Sequence, residues 1–142
     1  MKRPDLSLII ACFNEEKHLE ASISEIEKVL KMSKFSYEII FIDDKSADRT
    51  LEVIKRIAKG KKNYNYFFHT KNEGRGKTVS DGILKAKGKV VGFIDIDLEV
   101  SAVYIPYCIN LILNGEDIVV GHRIYHTNLA FLHREIFSRG FP

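Results

Sequence analysis

The run Leu6-Ser-Leu-Ile-Ile-Ala-Cys-Phe13, followed at once by Asn14-Glu-Glu16, decides the fold. A short, β-rich apolar run with no polar alternation reads as a strand buried on both faces. Asn14 then reads as a helix cap, with Glu15 and Glu16 in a first turn where carboxylates favour the positive end of the helix dipole. Leu19, Ile23, Ile26 and Leu30 recur at helical spacing and define the face that packs on a sheet. Strand then helix is the opening of a parallel sheet, because parallel neighbours need a crossover connection.

The same unit recurs along the chain. Tyr37 to Asp43 is a second strand, and the turn Asp44-Lys-Ser46 leads to a helix through Leu51, Ile54 and Ile57 that stops at Gly60. Tyr64 to His69 is a third strand, less apolar and so nearer a sheet edge. The loop Asn72-Glu-Gly-Arg-Gly76 opens a third helix through Val79, Ile83 and Ala86, ending at Gly88. Val90 to Asp95 is a fourth strand, Pro106 suits the first turn of a helix carrying Ile109, Ile112 and Leu113, and Asp117 to Gly121 reads as a fifth strand. This alternation predicts an α/β, Rossmann-like, open and mainly parallel sheet with helices on both faces. Residues 1–142 form one domain on this reading.

Composition narrows the function classes. With 45% hydrophobic residues and 29% charged residues of mixed sign, the chain is globular rather than disordered. A net charge of +3 is too slight to indicate nucleic acid, although it suits an anionic ligand. Cys12 and Cys108 sit in apolar runs without metal or redox spacing, so buried thiols in a reducing compartment are expected. No apolar stretch reaches the roughly 18 residues of a membrane span, and the start does not make a signal peptide. A cytoplasmic protein is therefore expected. The tail Phe131 to Arg139 mixes aromatics with Arg134 and Arg139, which suits peripheral contact with a membrane face or docking on a second copy as a homodimer.

The polar residues gather after the strands. Asn14-Glu15, Asp43-Asp44, the Gly74/Gly76/Lys77 loop, Asp95-Ile-Asp97 and His122-Arg123 each follow one strand, so all should lie along the rim where an open α/β sheet binds ligands. Singly, each has a plain explanation as a cap, a turn or a solvated charge. The acidic pair is the sharpest signal. Asp95 and Asp97 flank Ile96 at the end of a buried strand, and both stay ionised only if a cation or donors neutralise them. Glu99 adds a third oxygen at the next alternate position, and hard oxygens suit Mg²⁺ or Mn²⁺. A P-loop would need glycine at Lys71, and a dinucleotide fingerprint would need it at Val79. A phosphohydrolase with Asp95 as nucleophile remains an alternative.

Five segments in order carry a resemblance: Ile10-Ala-Cys-Phe-Asn-Glu15, Ile42-Asp-Asp-Lys-Ser-Ala-Asp48, Asn72-Glu-Gly-Arg-Gly-Lys77, Phe93-Ile-Asp-Ile-Asp-Leu-Glu99 and Val119-Val-Gly-His-Arg123. Together they resemble the nucleotide-binding half of a family 2 glycosyltransferase of the GT-A fold, and most of all the dolichol-phosphate mannose or glucose synthases. The resemblance implies that Ala11, Phe13 and Glu15 line a nucleoside pocket, with Glu15 on ribose hydroxyls and Asp44 accepting from the base. It places Ile42, Gly74, Lys77 and Ile96 in the same donor-binding set. Asp95, Asp97 and Glu99 would hold the metal on the diphosphate, and Arg123 would meet the diphosphate or the acceptor phosphate. Thr78-Val79 departs from the small residue expected there. The chain stops at Pro142, so the acceptor half is expected to be missing.

The implied reaction is a metal-dependent, inverting transfer of sugar from a GDP- or UDP-sugar, with Asp97 and Arg123 as catalytic residues. A polyprenyl or dolichyl phosphate is the favoured acceptor. A phosphate monoester with a second pKa near about 6 is largely ionised at neutral pH and needs no general base. A nucleotide-sugar-binding remnant without turnover is the other alternative.

Overall fold

The computed structural model describes residues 3–121. Four strands, β1 (Leu6–Cys12), β2 (Tyr37–Asp43), β3 (Tyr64–Phe68) and β4 (Val90–Phe93), form one sheet in the order β3-β2-β1-β4. Every pairing is parallel. Helices α1 (Leu19–Met32), α2 (Thr50–Ala58) and α3 (Arg75–Lys85) make the crossovers, and a short 3₁₀ turn (Ala102–Tyr104) leads into α4 (Ile105–Leu113).

The period of two along each strand sorts the core between two faces. Leu8 and Ile10 of β1 stand beside Ile39 and Phe41 of β2, and they pack with Leu19, Ile23, Ile26 and Leu30 of α1 and Val53 and Ile54 of α2. On the other face, Ile9 meets α3 at Gly82. A Cβ at Gly82 would lie 2.5 Å from Ile9 Cγ2, so glycine is what lets this helix sit so near the sheet. The buried residues of α3 are Thr78 and Gly82, whereas Ile83 is 47% exposed. Space against β1, not apolar spacing, chose the inward face of that helix.

Two expectations about elements are corrected. Asn14 does not cap α1, which starts at Leu19. Asn14 has φ 58°, a left-handed conformation that Asn tolerates and that interrupts the chain between strand and helix. Its side chain instead accepts the Ala47 N–H at 2.8 Å, and its own N–H donates to Ser46 Oγ at 2.9 Å. The fifth strand does not form either. Residues Asp117 to Gly121 join no ladder among the described residues, and Ile118 and Val120 are 79% and 78% exposed. A strand exists only through bonds to a neighbour, whatever its composition.

Cys12 is buried as expected, and burial pushes its thiol well above the usual range. Cys108 is half-buried. Among the described residues no helix is long and apolar enough to cross a membrane.

Candidate active site

Because all strands run the same way, their carboxyl ends deliver the loops after β1, β2, β3 and β4 to one rim. A cleft of about 470 Å³ opens there. Ala11, Phe13 and Glu15 line it from the first loop, Asp44 from the second, Asn72, Gly74, Arg75 and Thr78 from the third, and Asp95, Ile96 and Asp97 from the fourth. Eight of the residues expected from the sequence thus come together: Ala11, Phe13, Glu15, Asp44, Gly74, Asp95, Ile96 and Asp97.

Hydrogen bonds hold the loops in register. The Glu15 N–H donates to Thr50 Oγ1 at 2.7 Å, and Glu16 returns the tie by accepting the Arg49 N–H at 2.9 Å. Asp48 caps the start of α2 through the Thr50 amide at 2.9 Å. Burial pushes the Asp48 carboxyl up, but the Thr50 hydroxyl and surrounding amides outweigh it and hold it below its ordinary value.

Asp44 is 3% exposed and organises the third loop. Its Oδ1 accepts the Glu73 N–H at 2.8 Å and faces His69 Nδ1 at 2.7 Å, while its Oδ2 accepts the Gly74 N–H at 2.8 Å. Burial alone would raise this carboxyl, yet the two amides and the imidazole together lower it. Its acceptor capacity is therefore mostly spent on the loop. Gly74, with φ 85°, stands at the head of α3, a backbone state that costs glycine little. His69 Nε2 reaches Asp81 Oδ2 at 3.1 Å, so the imidazole bridges two carboxylates.

At the opposite lip, Arg75 grips Asp95. Its Nε donates to Oδ1 at 2.9 Å, and its Nη2 donates to Oδ1 and Oδ2 at 2.6 Å each. The guanidinium carbon lies 5.7 Å from the Phe93 ring centroid. Asp97 accepts the Glu99 N–H at 3.1 Å in the turn that follows, where Leu98 has φ 51°. Glu15 feels this acidity. Burial raises its carboxyl, His18 opposes, and the charges of Asp97 and Asp48 raise it further.

Three expected residues stand elsewhere. Ile42 is fully buried in β2 and borders a separate cavity of about 440 Å³ between β3 and α3. Lys77 is drawn into an ion pair with Asp81 one turn along α3. Glu99 is exposed beyond the Asp97 turn and does not line the cleft. Arg123 and His122 lie outside the described residues. Conversely, Arg75, Asn72 and Thr78 line the cleft, although the sequence reading assigns none of them a ligand. The glycines flanking Arg75 mark a turn, but nothing in sequence order announces that its side chain crosses to Asp95.

The donor set fits Mg²⁺ or Mn²⁺ in one specific way. Asp95 and Asp97 offer hard oxygens at the lip of the cleft. Among the described residues no group of three or more His, Cys, Asp or Glu converges to cage an ion. That suits a cation that takes one or two carboxylates and completes its shell from water and a substrate diphosphate.

Known proteins resemble the chain over most of its length. The chain is 36% identical over 139 residues to a dolichol-phosphate mannosyltransferase of Pyrococcus furiosus, covering 95% of this chain and 38% of that protein. It is 30% identical over 144 residues to the dolichyl-phosphate beta-glucosyltransferase ALG5D of Trichomonas vaginalis, covering 94% of this chain and 44% of that one. The chain thus spans less than half the length of these relatives. Among solved structures, S. aureus TarS in complex with UDP-GlcNAc matches with TM-score 0.54 at 29% identity, over 66% of this chain and 26% of that one. The Pyrobaculum calidifontis mannosyltransferase PcManGT, in complex with GDP-Man and Mn²⁺, matches with TM-score 0.58 at 21% identity, over 68% and 28%. The latter likeness speaks to the GT-A-like fold alone. The sequence profile of Glycosyl transferase family 2 matches residues 7–135, and the chain belongs to that family.

Proposed function

We propose that this chain is the nucleotide-sugar-binding part of a metal-dependent, inverting glycosyltransferase whose acceptor is a polyprenyl or dolichyl phosphate. The observation that carries the proposal is the convergence of Glu15, Asp44, Asp95 and Asp97 on one cleft at the carboxyl ends of a parallel sheet. The names of the two relatives support a lipid-phosphate acceptor, and the ligands named with PcManGT and TarS support a nucleotide-sugar donor.

In this reading Phe13, half exposed at the cleft wall, gives the base an apolar surface, and Glu15 accepts from ribose hydroxyls. Asp44 keeps the third loop closed and presents its remaining acceptor position to the donor. Asp95 and Asp97 are the residues that would hold Mg²⁺ or Mn²⁺ on the diphosphate. When bound, the ion supplies positive charge against which the leaving nucleoside diphosphate is stabilised. Attack by an ionised acceptor phosphate on the face opposite the leaving group inverts the anomeric centre and needs no base from the chain. Such an acceptor would bring the protein to the cytoplasmic face of a membrane.

An aspartyl-nucleophile phosphohydrolase is less well supported, since the matching family and both relatives named above are glycosyltransferases. Incubation with radiolabelled GDP-mannose or UDP-glucose, Mn²⁺ and a polyprenyl phosphate tests transfer. Labelled lipid product supports the proposal. Donor binding without product favours a binding part that lacks turnover by itself, and phosphate release with no donor binding favours the phosphohydrolase.

A further inference from the structure

We infer that Arg75 pairs with Asp95 until a divalent cation takes that carboxylate, and then passes to the donor diphosphate. The inference rests on the nucleotide-sugar reading above. Four features of the residue carry it.

Its root is fixed. Arg75 opens α3 directly after Gly74, whose N–H is bound by the buried Asp44. Its head is free to travel, for the side chains of Arg75 and Asp95 are 61% and 55% exposed. An ion pair this exposed is weak and readily exchanged. Its contacts also conflict with a loaded site. The guanidinium fork engages both oxygens of Asp95, so a cation bound there competes for the same lone pairs and repels the fork.

The last feature is charge. Glu15, Asp44, Asp95 and Asp97 line the cleft, and among its described lining residues Arg75 is the only cationic side chain. Lys77 of α3 pairs with Asp81 and does not line the cleft. A planar fork released at the lip beside an arriving diphosphate has the geometry that binds phosphate oxygens bidentately. One side chain thus serves two charge states of the cleft. It neutralises carboxylates in the empty state and phosphates in the loaded one.

The two roles have opposite signs, which makes them measurable without turnover. Arg75→Ala and Arg75→Lys are compared with wild type by electron paramagnetic resonance of free Mn²⁺ and by calorimetry with GDP, and with UDP in parallel, at saturating Mn²⁺. Arg75→Ala should bind Mn²⁺ alone roughly three-fold more tightly, having lost its competitor. It should bind the nucleoside diphosphate roughly ten-fold more weakly, having lost a charged bidentate partner. Arg75→Lys should fall between wild type and Arg75→Ala in both assays, because it keeps charge and loses the fork. Both affinities unchanged, or both weakened together as general loosening of the loop would produce, overturns the inference while leaving the nucleotide-sugar reading in place. Wild-type protein that binds neither Mn²⁺ nor either diphosphate removes that reading and this inference with it.

Discussion

The Asp44 carboxylate accepts the Gly74 N–H at 2.8 Å, which fastens the end of β2 to the head of α3 across the floor of the cleft. The Glu73 N–H arrives at the same carboxylate at the same distance. Asp44→Asn keeps the shape but sets an NH₂ group against one of these donors. The expected cost is about 1–3 kcal/mol of stability, the size of a buried polar group left unsatisfied. Urea unfolding measures it, and amide hydrogen exchange at Glu73 and Gly74 should quicken. Unchanged exchange at both amides would show that the loop does not depend on Asp44.

Acid should weaken the fold in a defined window. Burial pushes Glu27 up, but Lys31, Lys61 and the Tyr64 hydroxyl outweigh it and bring the carboxyl from 4.5 down to about 2. Asp44 and Asp48 are likewise held below 3.8. A carboxyl depressed in the folded state binds protons more readily when unfolded, so its contribution is complete above the unfolded value and fades below it. Denaturant midpoints should be flat above about pH 5 and fall steadily from there toward pH 2. Glu27→Gln should flatten part of that fall. A midpoint that rises on acidification contradicts these assignments.

Gly82→Ala should destabilise by about 1–3 kcal/mol through overpacking against Ile9, whose β-branched side chain is fully buried and stiff. Ile9→Ala makes room, so the double variant should lose less than the sum of the two single variants. Strict additivity would mean that α3 does not sit this close to β1.

Much of the fold was legible because burial follows periodicity. The apolar run Leu6 to Phe13 became β1 over Leu6–Cys12, Tyr37 to Asp43 became β2 at those residues, and the Leu19, Ile23, Ile26 and Leu30 stripe became the buried face of α1. The strand expected over Tyr64 to His69 forms over Tyr64–Phe68 and stands at the sheet edge, as its mixed polarity implied. What failed depended on partners that sequence order does not name. Asp117 to Gly121 has strand composition without a ladder neighbour among the described residues, and Asn14 bonds a turn more than thirty residues away. The site was legible in the same uneven way. Parallel strands carried Glu15, Asp44, Asp95 and Asp97 to one rim, which topology alone requires. The choice between Lys77 and Arg75 was invisible, because it was settled by Asp81 one helical turn from Lys77 and by Asp95 across the cleft.

Glu15 and Asp97 repel each other across the cleft, and the repulsion helps keep the Glu15 carboxyl above its ordinary value. Asp97→Asn should therefore lower the Glu15 pKa, because one of the like charges that raise it is removed. Carbon-detected NMR titration of the Glu15 carboxyl reads this directly. No change would place the two carboxylates too far apart to share one ligand.

The most direct measurement is calorimetric titration of wild type and Asp97→Ala with GDP and UDP, each with and without Mn²⁺. One of the two nucleotides should bind wild type only with Mn²⁺, and that binding should be lost in Asp97→Ala while the variant unfolds at the same temperature. Equal binding with and without the cation, or full affinity in Asp97→Ala, would contradict a cleft built around the acidic pair.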